Sequence, residues 1–453
     1  MDILIIGGGG SSAVTARTVK KYMPRAQVQV YTKRKVAGYR PCELTYVLGG
    51  EIPSFETMIN FDPAGMAKNN IFYHMETAVT EIEPQQQYVT VKGEKVRYDR
   101  LVIATGSEPF IPPIPGADGT NEFTLGTDMV YAENFLKALP QFKSAVIIGA
   151  GPVGLEAAEA LVNRNYEDVW VVEAANQILP KFLDREMAQI VQDRLAGQGV
   201  NFLFNAQVSE IRTEEGQKIA VIDDSSVKAD CIVYCTGFRP RNELARRCGL
   251  EIGETGGIKV DQFLRTSDPN IFAVGDVAQT TDLISGRPTL SMMGSNAVRT
   301  AKVAAQNMVS EKMVAYNGTV HTFAIKLAGL YIGTAGYNET ARGMLLPDSP
   351  QVATASHRAT VKPPYVNGKP IHIKLAAESE SYRLIGVQLI SEDPVGIADL
   401  DRLALAMTEQ ISLSEISLAE TCYTPSLNWP YSPVAQTVDN LIYRLEQIQN
   451  GED

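Results

Sequence analysis

Short apolar runs, each about one strand long and each ending at glycine, recur along the chain and predict its framework. Asp2–Ile6 is the first and reads as a strand buried on both faces. Gly7-Gly8-Gly9-Gly10-Ser11-Ser12 follows, and helical spacing then runs from Ala13 to Tyr22. Val28–Tyr31 predicts a second strand. From 74 to 103 apolar and polar residues alternate through Val79, Ile82, Tyr88, Val89, Val91 and Val96, the period of a small antiparallel sheet. Leu101–Ala104 then brings a buried strand to a tight turn at Thr105-Gly106. Pro109, Pro112, Pro113 and Pro115 stiffen the next stretch, as suits a crossing between domains.

The pattern then restarts. Ser144–Ile148 is a buried strand, Gly149-Ala150-Gly151-Pro152-Val153-Gly154 a glycine turn, and Leu155–Val162 a helix. Val169–Val172 is the next strand and ends at Glu173. Cys231–Tyr234 repeats the earlier passage from strand to turn, this time at Gly237, and Asn270–Val274 ends at Gly275-Asp276. Towards the C-terminus, strand-like runs at His372–Ala376 and Leu384–Leu389 precede helical spacing over Ala398–Met407 and Ser412–Leu418.

Composition narrows the class. A chain of 453 residues accommodates about three domains, and 45% hydrophobic with 21% charged residues is ordinary for a globular protein. A net charge of −11 argues against nucleic acid or an anionic membrane as general partner. No apolar run approaches the roughly 20 residues that span a bilayer. The cysteines, Cys42, Cys231, Cys235, Cys248 and Cys422, are odd in number and lack zinc-type spacing, which fits a reducing compartment. The expected location is cytoplasmic.

Each strand–glycine–helix unit is a pyrophosphate cradle, because free backbone donors and the helix dipole face the phosphates. In the first, Gly7, Gly9, Gly10 and Ser11 are the candidate contacts. Its second strand ends in Thr32-Lys33-Arg34 where an acid usually grips a ribose, so Thr32 and Lys33 are assigned to that region. In the second, the candidates are Gly149, Gly151, Gly154 and, on the helix, Glu156. Glu173 stands where it would accept the ribose diol and repel a 2′-phosphate, favouring NADH over NADPH. Thr105, Gly106 and Gly237 mark turns beside the cofactors. Asp276 either binds a ribityl hydroxyl or caps a helix.

Cys42 lies in Arg40-Pro41-Cys42-Glu43-Leu44-Thr45-Tyr46-Val47-Leu48, with Leu44–Leu48 predicted helical. A thiolate is expected there, stabilised by the helix start and by Arg40, Lys33 and Arg34. Cys231 and Cys235 read as packing residues, and Cys248 receives no role. Arg17, Lys20 and Lys21 share one face of the first helix, either a phosphate-binding patch or a solvated surface.

Taken together, the two cradles, the turns at 104–106 and 235–237 and Ala273-Val274-Gly275-Asp276 resemble the FAD-dependent pyridine nucleotide–disulfide oxidoreductases. Cys42-Glu43-Leu44-Thr45-Tyr46-Val47-Leu48-Gly49-Gly50 looks like their single-cysteine branch, since Val47 stands where a second cysteine would be. That branch includes coenzyme A disulfide reductases, NADH oxidases and peroxidases, and polysulfide reductases. The resemblance implies an α/β fold of two doubly wound (Rossmann-like) nucleotide-binding domains plus an α+β C-terminal dimerisation domain. The FAD-binding domain would comprise 1–110 and 256–315, the NAD(H)-binding domain 111–255 and the dimerisation domain 316–453.

It also implies FAD and NADH as cofactors and a homodimer. Cys42 would be the catalytic thiol that passes electrons to a small-molecule disulfide, persulfide or polysulfide. The partner subunit's Tyr423 would protonate the leaving thiolate, and the partner's Cys422 could form a redox pair with Cys42. Arg17, Lys21 and Arg40 are the candidate substrate contacts, Lys21 matching a coenzyme A contact of the branch. Gly10 replaces the loop histidine of the NADH oxidases and peroxidases, Pro41 the asparagine of the coenzyme A disulfide reductases, and Val361-Lys362 their paired tyrosines. An NADH oxidase or peroxidase cycling Cys42 through a sulfenate is the alternative, and a flavin-bearing redox sensor a third reading.

Overall fold

Apolar runs with no polar alternation need cover on both faces, and they form the interior of two parallel sheets. This computed structural model describes residues 1–223, 225–345 and 351–451. The first sheet orders its strands Ile271–Ala273, Arg100–Ile103, Asp2–Ile6, Gln27–Tyr31 and Ile71–His74, all parallel. The second orders Val200–Leu203, Asp168–Val172, Ser144–Ile148, Cys231–Tyr234 and Glu122–Thr124, again all parallel. In each, the strand that feeds the glycine turn lies at the centre, so the turn opens at the sheet's carboxyl edge, where α/β proteins bind ligands.

The chain passes between the sheets twice. Ser107–Pro109 and Phe238–Pro240, the segments after the two turns, pair antiparallel as a narrow ribbon. The antiparallel sheet expected over 74–103 is confined to Val79–Glu83, Tyr88–Val91 and Glu94–Arg97. Its flanks, Ile71–His74 and Arg100–Ile103, are claimed instead by the parallel sheet.

The C-terminal part is a five-stranded antiparallel sheet in the order Phe323–Leu327, Leu330–Gly336, Leu384–Ser391, Pro370–Glu378, Val352–Thr360. Helices Asp399–Thr408, Leu413–Leu418 and Pro433–Asn450 bury Leu403, Leu413, Val438, Leu441 and Leu445 with it in one core. Polar groups tie this sheet to the second parallel unit. Gln388 accepts from the Asp184 backbone at 2.8 Å and donates to its carboxylate at 2.7 Å. Buried Lys374 meets the same carboxylate at 2.7 Å and Glu339 at 3.0 Å. Desolvating such charges is costly, and the dense pairing offsets it. Among the described residues no helix is long and apolar enough to cross a membrane.

One docking event sets up the site. Pro41 opens a single 3₁₀ turn, Pro41–Glu43, that runs into the short helix Leu44–Gly49, which Gly50 ends in the left-handed conformation at φ 82°. Its apolar face, Leu44, Val47 and Leu48, shares a core with Leu155, Ala158 and Leu161 of helix Pro152–Asn163. Arg164 closes the contact by donating to the Val47 carbonyl at 3.3 Å and to the Leu48 carbonyl. The cysteine turn of the first half therefore sits on the helix of the second cradle.

Candidate active site

Helix Gly10–Tyr22 starts from an extended Gly9 with no side-chain cap, so the backbone donors of its first turn are free. Gly7 has φ 140°, a conformation that side chains disfavour. A Cβ on Gly8 would strike the Thr32 side chain and one on Gly275 the Ser11 hydroxyl, whereas the space over Gly10 is open. Ser12 and Thr15 hold buried hydroxyls with no hydrogen-bond partner among the described residues. Uncapped donors, glycines at points of close approach and orphaned hydroxyls together fit a dinucleotide seated on this turn.

Thr32 is buried and accepts from the Arg34 amide at 3.2 Å, while Lys33 is exposed. Arg34 lies beside the cradle, 3.9 Å from where a Gly9 Cβ would stand, and donates to Thr127 at 3.0 Å. Thr105 donates to the Arg241 carbonyl at 2.7 Å, and Gly106 takes φ 68°. Asp276 accepts from Ser107 at 2.8 Å; burial pushes its carboxyl up, and the Ser107 bond, Arg34 and Arg241 pull the other way. Of its two readings from sequence, a cofactor contact suits this buried, Arg-flanked position better than a cap.

The second cradle repeats the construction. Gly149 has φ 108°, and a Cβ there would come within 2.5 Å of the Cys235 carbonyl oxygen. Gly151 is an extended, uncapped helix start with Pro152 next, and Gly237 takes φ 102°. A Cβ on Gly154 would collide with the Gly149 carbonyl, so this glycine lets helix and strand approach. Glu173 accepts from the Ala150 amide at 2.7 Å and the Ala175 amide at 2.8 Å, which holds its carboxylate over the turn. The residues present fit a second dinucleotide with a free ribose diol.

Cys42 is exposed, and its setting corrects the expectation of cationic stabilisation. Arg40 points outward to Glu43 at 3.3 Å and Arg34 is 3.7 Å from Asp128. Lys33 is exposed, and the helix after the thiol is a single short one. The residue is exposed along its side, yet the protein packed around its sulfur pushes the thiol's pKa up, and Glu156, Asp276 and Glu43 push it further. The sequence showed which cations were close along the chain but not that each would face another carboxylate.

Glu156 reaches across the docking seam, where Thr45 of the cysteine helix donates to it at 3.0 Å. Burial pushes its carboxyl up to about 7, Glu159 and Glu51 add to the rise, and the Thr45 bond opposes it. Glu156 thus belongs to the thiol's surroundings as much as to the second cradle, and no spacing rule would have placed it there.

A cleft of about 420 Å³ opens beside the first helix, lined by Arg17, Lys20, Asn60, Asp62, Met66 and Asn69. Lys20 donates to the Ala26 carbonyl at 2.6 Å and to that of Pro24. Lys21, a candidate substrate contact, has its Nζ 6.0 Å from the ring centre of Tyr22. Cys422 and Tyr423 are exposed on a loop of the C-terminal part, where Asn428 donates to the Cys422 carbonyl at 2.7 Å. Cys231 is fully buried, and burial raises the thiols of Cys231 and Cys235, the latter to about 12.

Two dinucleotide cradles, with an exposed cysteine on the turn that docks against the second, define a redox flavoprotein architecture. The sequence pattern of the pyridine nucleotide-disulphide oxidoreductases matches residues 1–307, and the chain belongs to that family. It is an NAD(P)H-dependent oxidoreductase with FAD and NADH as cofactors. An NADH oxidase of Methanocaldococcus jannaschii is 33% identical over 453 aligned residues, covering 98% of this chain and 99% of that protein. A CoA-dependent NAD(P)H sulfur oxidoreductase of Pyrococcus furiosus is 30% identical, covering 95% of this chain and 96% of its own. The solved structure of an NAD-dependent persulfide reductase from A. fulgidus aligns with a TM-score of 0.93 and 31% identity, over 99% of this chain and 84% of that one.

Proposed function

We propose that this protein reduces a low-molecular-weight persulfide, polysulfide or disulfide, with a coenzyme A persulfide as the best-fitting substrate. The observation that carries this reading is the exposed Cys42 on the turn that docks against the second cradle's helix, with the Arg17 cleft formed by the helix of the first cradle. The balance is RS–SH + NADH + H⁺ → RSH + H₂S + NAD⁺. FAD, when bound, supplies the two-electron step between NADH and sulfur. Glu173 holds the NADH ribose, and Thr32, Arg34 and Asp276 hold the first dinucleotide. Cys42 attacks the sulfane sulfur, releasing RSH and keeping the sulfur as a cysteine persulfide that the two electrons then cleave to thiolate and sulfide.

In the same reading residues 1–110 with 256–315 bind FAD, 111–255 bind NADH, and 316–453 form a homodimer. Leu418, 85% exposed, stands near in sequence to the exposed Tyr423, Leu427 and Tyr431, an apolar stretch suited to a second copy of the chain. The partner subunit's Tyr423 would then approach Cys42 as proton donor, and the partner's Cys422 would lie beside it. The setting is cytoplasmic. A second reading, an NADH oxidase with Cys42 as sulfenate, draws on the Methanocaldococcus relative. The cleft has no use in that reading.

The cleft gives a test. Arg17→Ala should raise KM for coenzyme A persulfide about tenfold with little change in kcat, because a charge-assisted phosphate contact contributes about 1–2 kcal/mol. KM for inorganic polysulfide should stay as it was. An equal rise for both, or none for either, removes the cleft from substrate binding.

A further inference from the structure

Tyr39 stands three residues before Cys42, and its side chain is buried in the second half of the chain. The ring shares a core with Leu125 and Met129. The hydroxyl donates to the Thr127 carbonyl and accepts from the buried Met129 amide, each at 3.0 Å. Met129 opens helix Met129–Ala138, whose preceding residue, Asp128, supplies no side-chain cap. The phenol therefore satisfies one of that helix's free backbone donors. Burial pushes the phenol up and Arg34 opposes the rise, so the group stays a neutral hydroxyl that donates and accepts at once.

Thr127 is the other half of this junction. Its hydroxyl accepts from Arg34 at 3.0 Å and donates to the Ser107 carbonyl at 3.2 Å. Ser107 in turn donates to Asp276 at 2.8 Å. Arg34 and Asp276, the contacts of the first dinucleotide, therefore reach Thr127 directly and through Ser107. From Tyr39 to Cys42 the chain has little slack. Arg40 is extended at φ −101° and ψ 118°, and Pro41, whose ring fixes its φ, opens the 3₁₀ turn. Beyond the thiol, Arg164 holds the Val47 and Leu48 carbonyls. Both anchors of the cysteine segment thus lie in the second half of the chain.

We propose that Tyr39 and Thr127 are positioning residues for Cys42, fixing the cysteine turn against both cradles through the hydrogen bond they share. A thiol that must meet a sulfane sulfur and then receive two electrons tolerates little displacement, because a shift of about 1 Å costs up to about a hundredfold in rate. Phenylalanine at position 39 would keep the ring in its core but leave the buried Met129 amide unpaired. The turn would then be tied on its far side only. The inference rests on Cys42 being the redox thiol of the reaction proposed above.

Hydrogen–deuterium exchange of the FAD-loaded full-length protein reads the junction without turnover. In Tyr39→Phe, peptides covering 38–45 and 127–132 should exchange about tenfold faster, while peptides covering 144–148 keep the parent rate. Stopped-flow absorbance should show flavin reduction by NADH within about twofold of the parent, and reoxidation by coenzyme A persulfide slowed about ten- to a hundredfold. Thr127→Val should act the same way, and Thr127→Ser, which keeps the hydroxyl, should match the parent. The double variant should be less impaired than the product of the two single effects, since both break one junction. Exchange unchanged at 38–45 in Tyr39→Phe, or raised evenly along the whole chain in both variants, overturns the proposal. Thr127→Ser as slow as Thr127→Val does the same, as does unslowed reoxidation in Tyr39→Phe of a protein that Cys42→Ser inactivates. Full persulfide turnover in Cys42→Ser would instead end the functional reading, and the exchange profile would still decide the junction.

Discussion

Cys42→Ser should lower persulfide and disulfide turnover by about three orders of magnitude or more, while the protein still binds FAD and NADH still reduces it. Cys42 stands outside both cradles. Its turn contributes no glycine, carboxylate or hydroxyl to either, so the first half of the reaction has no need of it. A serine hydroxyl keeps the shape of the 3₁₀ turn but is a poor nucleophile at neutral pH and cannot carry the sulfane sulfur. Stopped-flow absorbance of the flavin and a steady-state assay on one preparation measure both halves. Undiminished turnover would mean that another thiol or the flavin itself meets the substrate, and the two remaining partly exposed thiols, Cys235 and Cys248, would be the first to replace after Cys422.

The second large effect is on nucleotide choice. With Glu173 fixed over the second turn by two backbone donors, kcat/KM for NADH should exceed that for NADPH by about a hundredfold, since a 2′-phosphate would meet a carboxylate that cannot swing away. Glu173→Ala should reduce that ratio to within about tenfold, partly by admitting NADPH and partly by loosening the turn that Ala150 and Ala175 now share with the carboxylate. Paired measurements with the two nucleotides decide it. An unchanged ratio in the variant would place the selectivity elsewhere.

The parts of the fold that could be read from the chain are those where backbone geometry dictates residue type. Gly7 and Gly149 need φ values that side chains resist, and the strands before them are buried on both faces, so both cradles are visible as glycine after an apolar run. The turn at Gly106 and the strand ending at Asp276 are legible for the same reason. Contacts between distant segments carry no such mark. Thr45 and Glu156 are 111 positions apart and meet only because the cysteine helix docks on the second cradle's helix. Arg34 and Arg40 look like stabilisers of a thiolate by proximity in sequence, but Asp128 and Glu43 face them in the fold. Likewise helical spacing put Lys20 and Lys21 on one face with Arg17, and only the geometry shows Lys20 bound to carbonyls and Lys21 turned to Tyr22.

Anaerobic consumption of NADH with coenzyme A persulfide, followed together with released sulfide, tests the central claim most directly. The account predicts one sulfide per NADH, at a rate set by the persulfide and indifferent to oxygen. NADH consumption that appears only in air, with no sulfide formed from the persulfide, would contradict it.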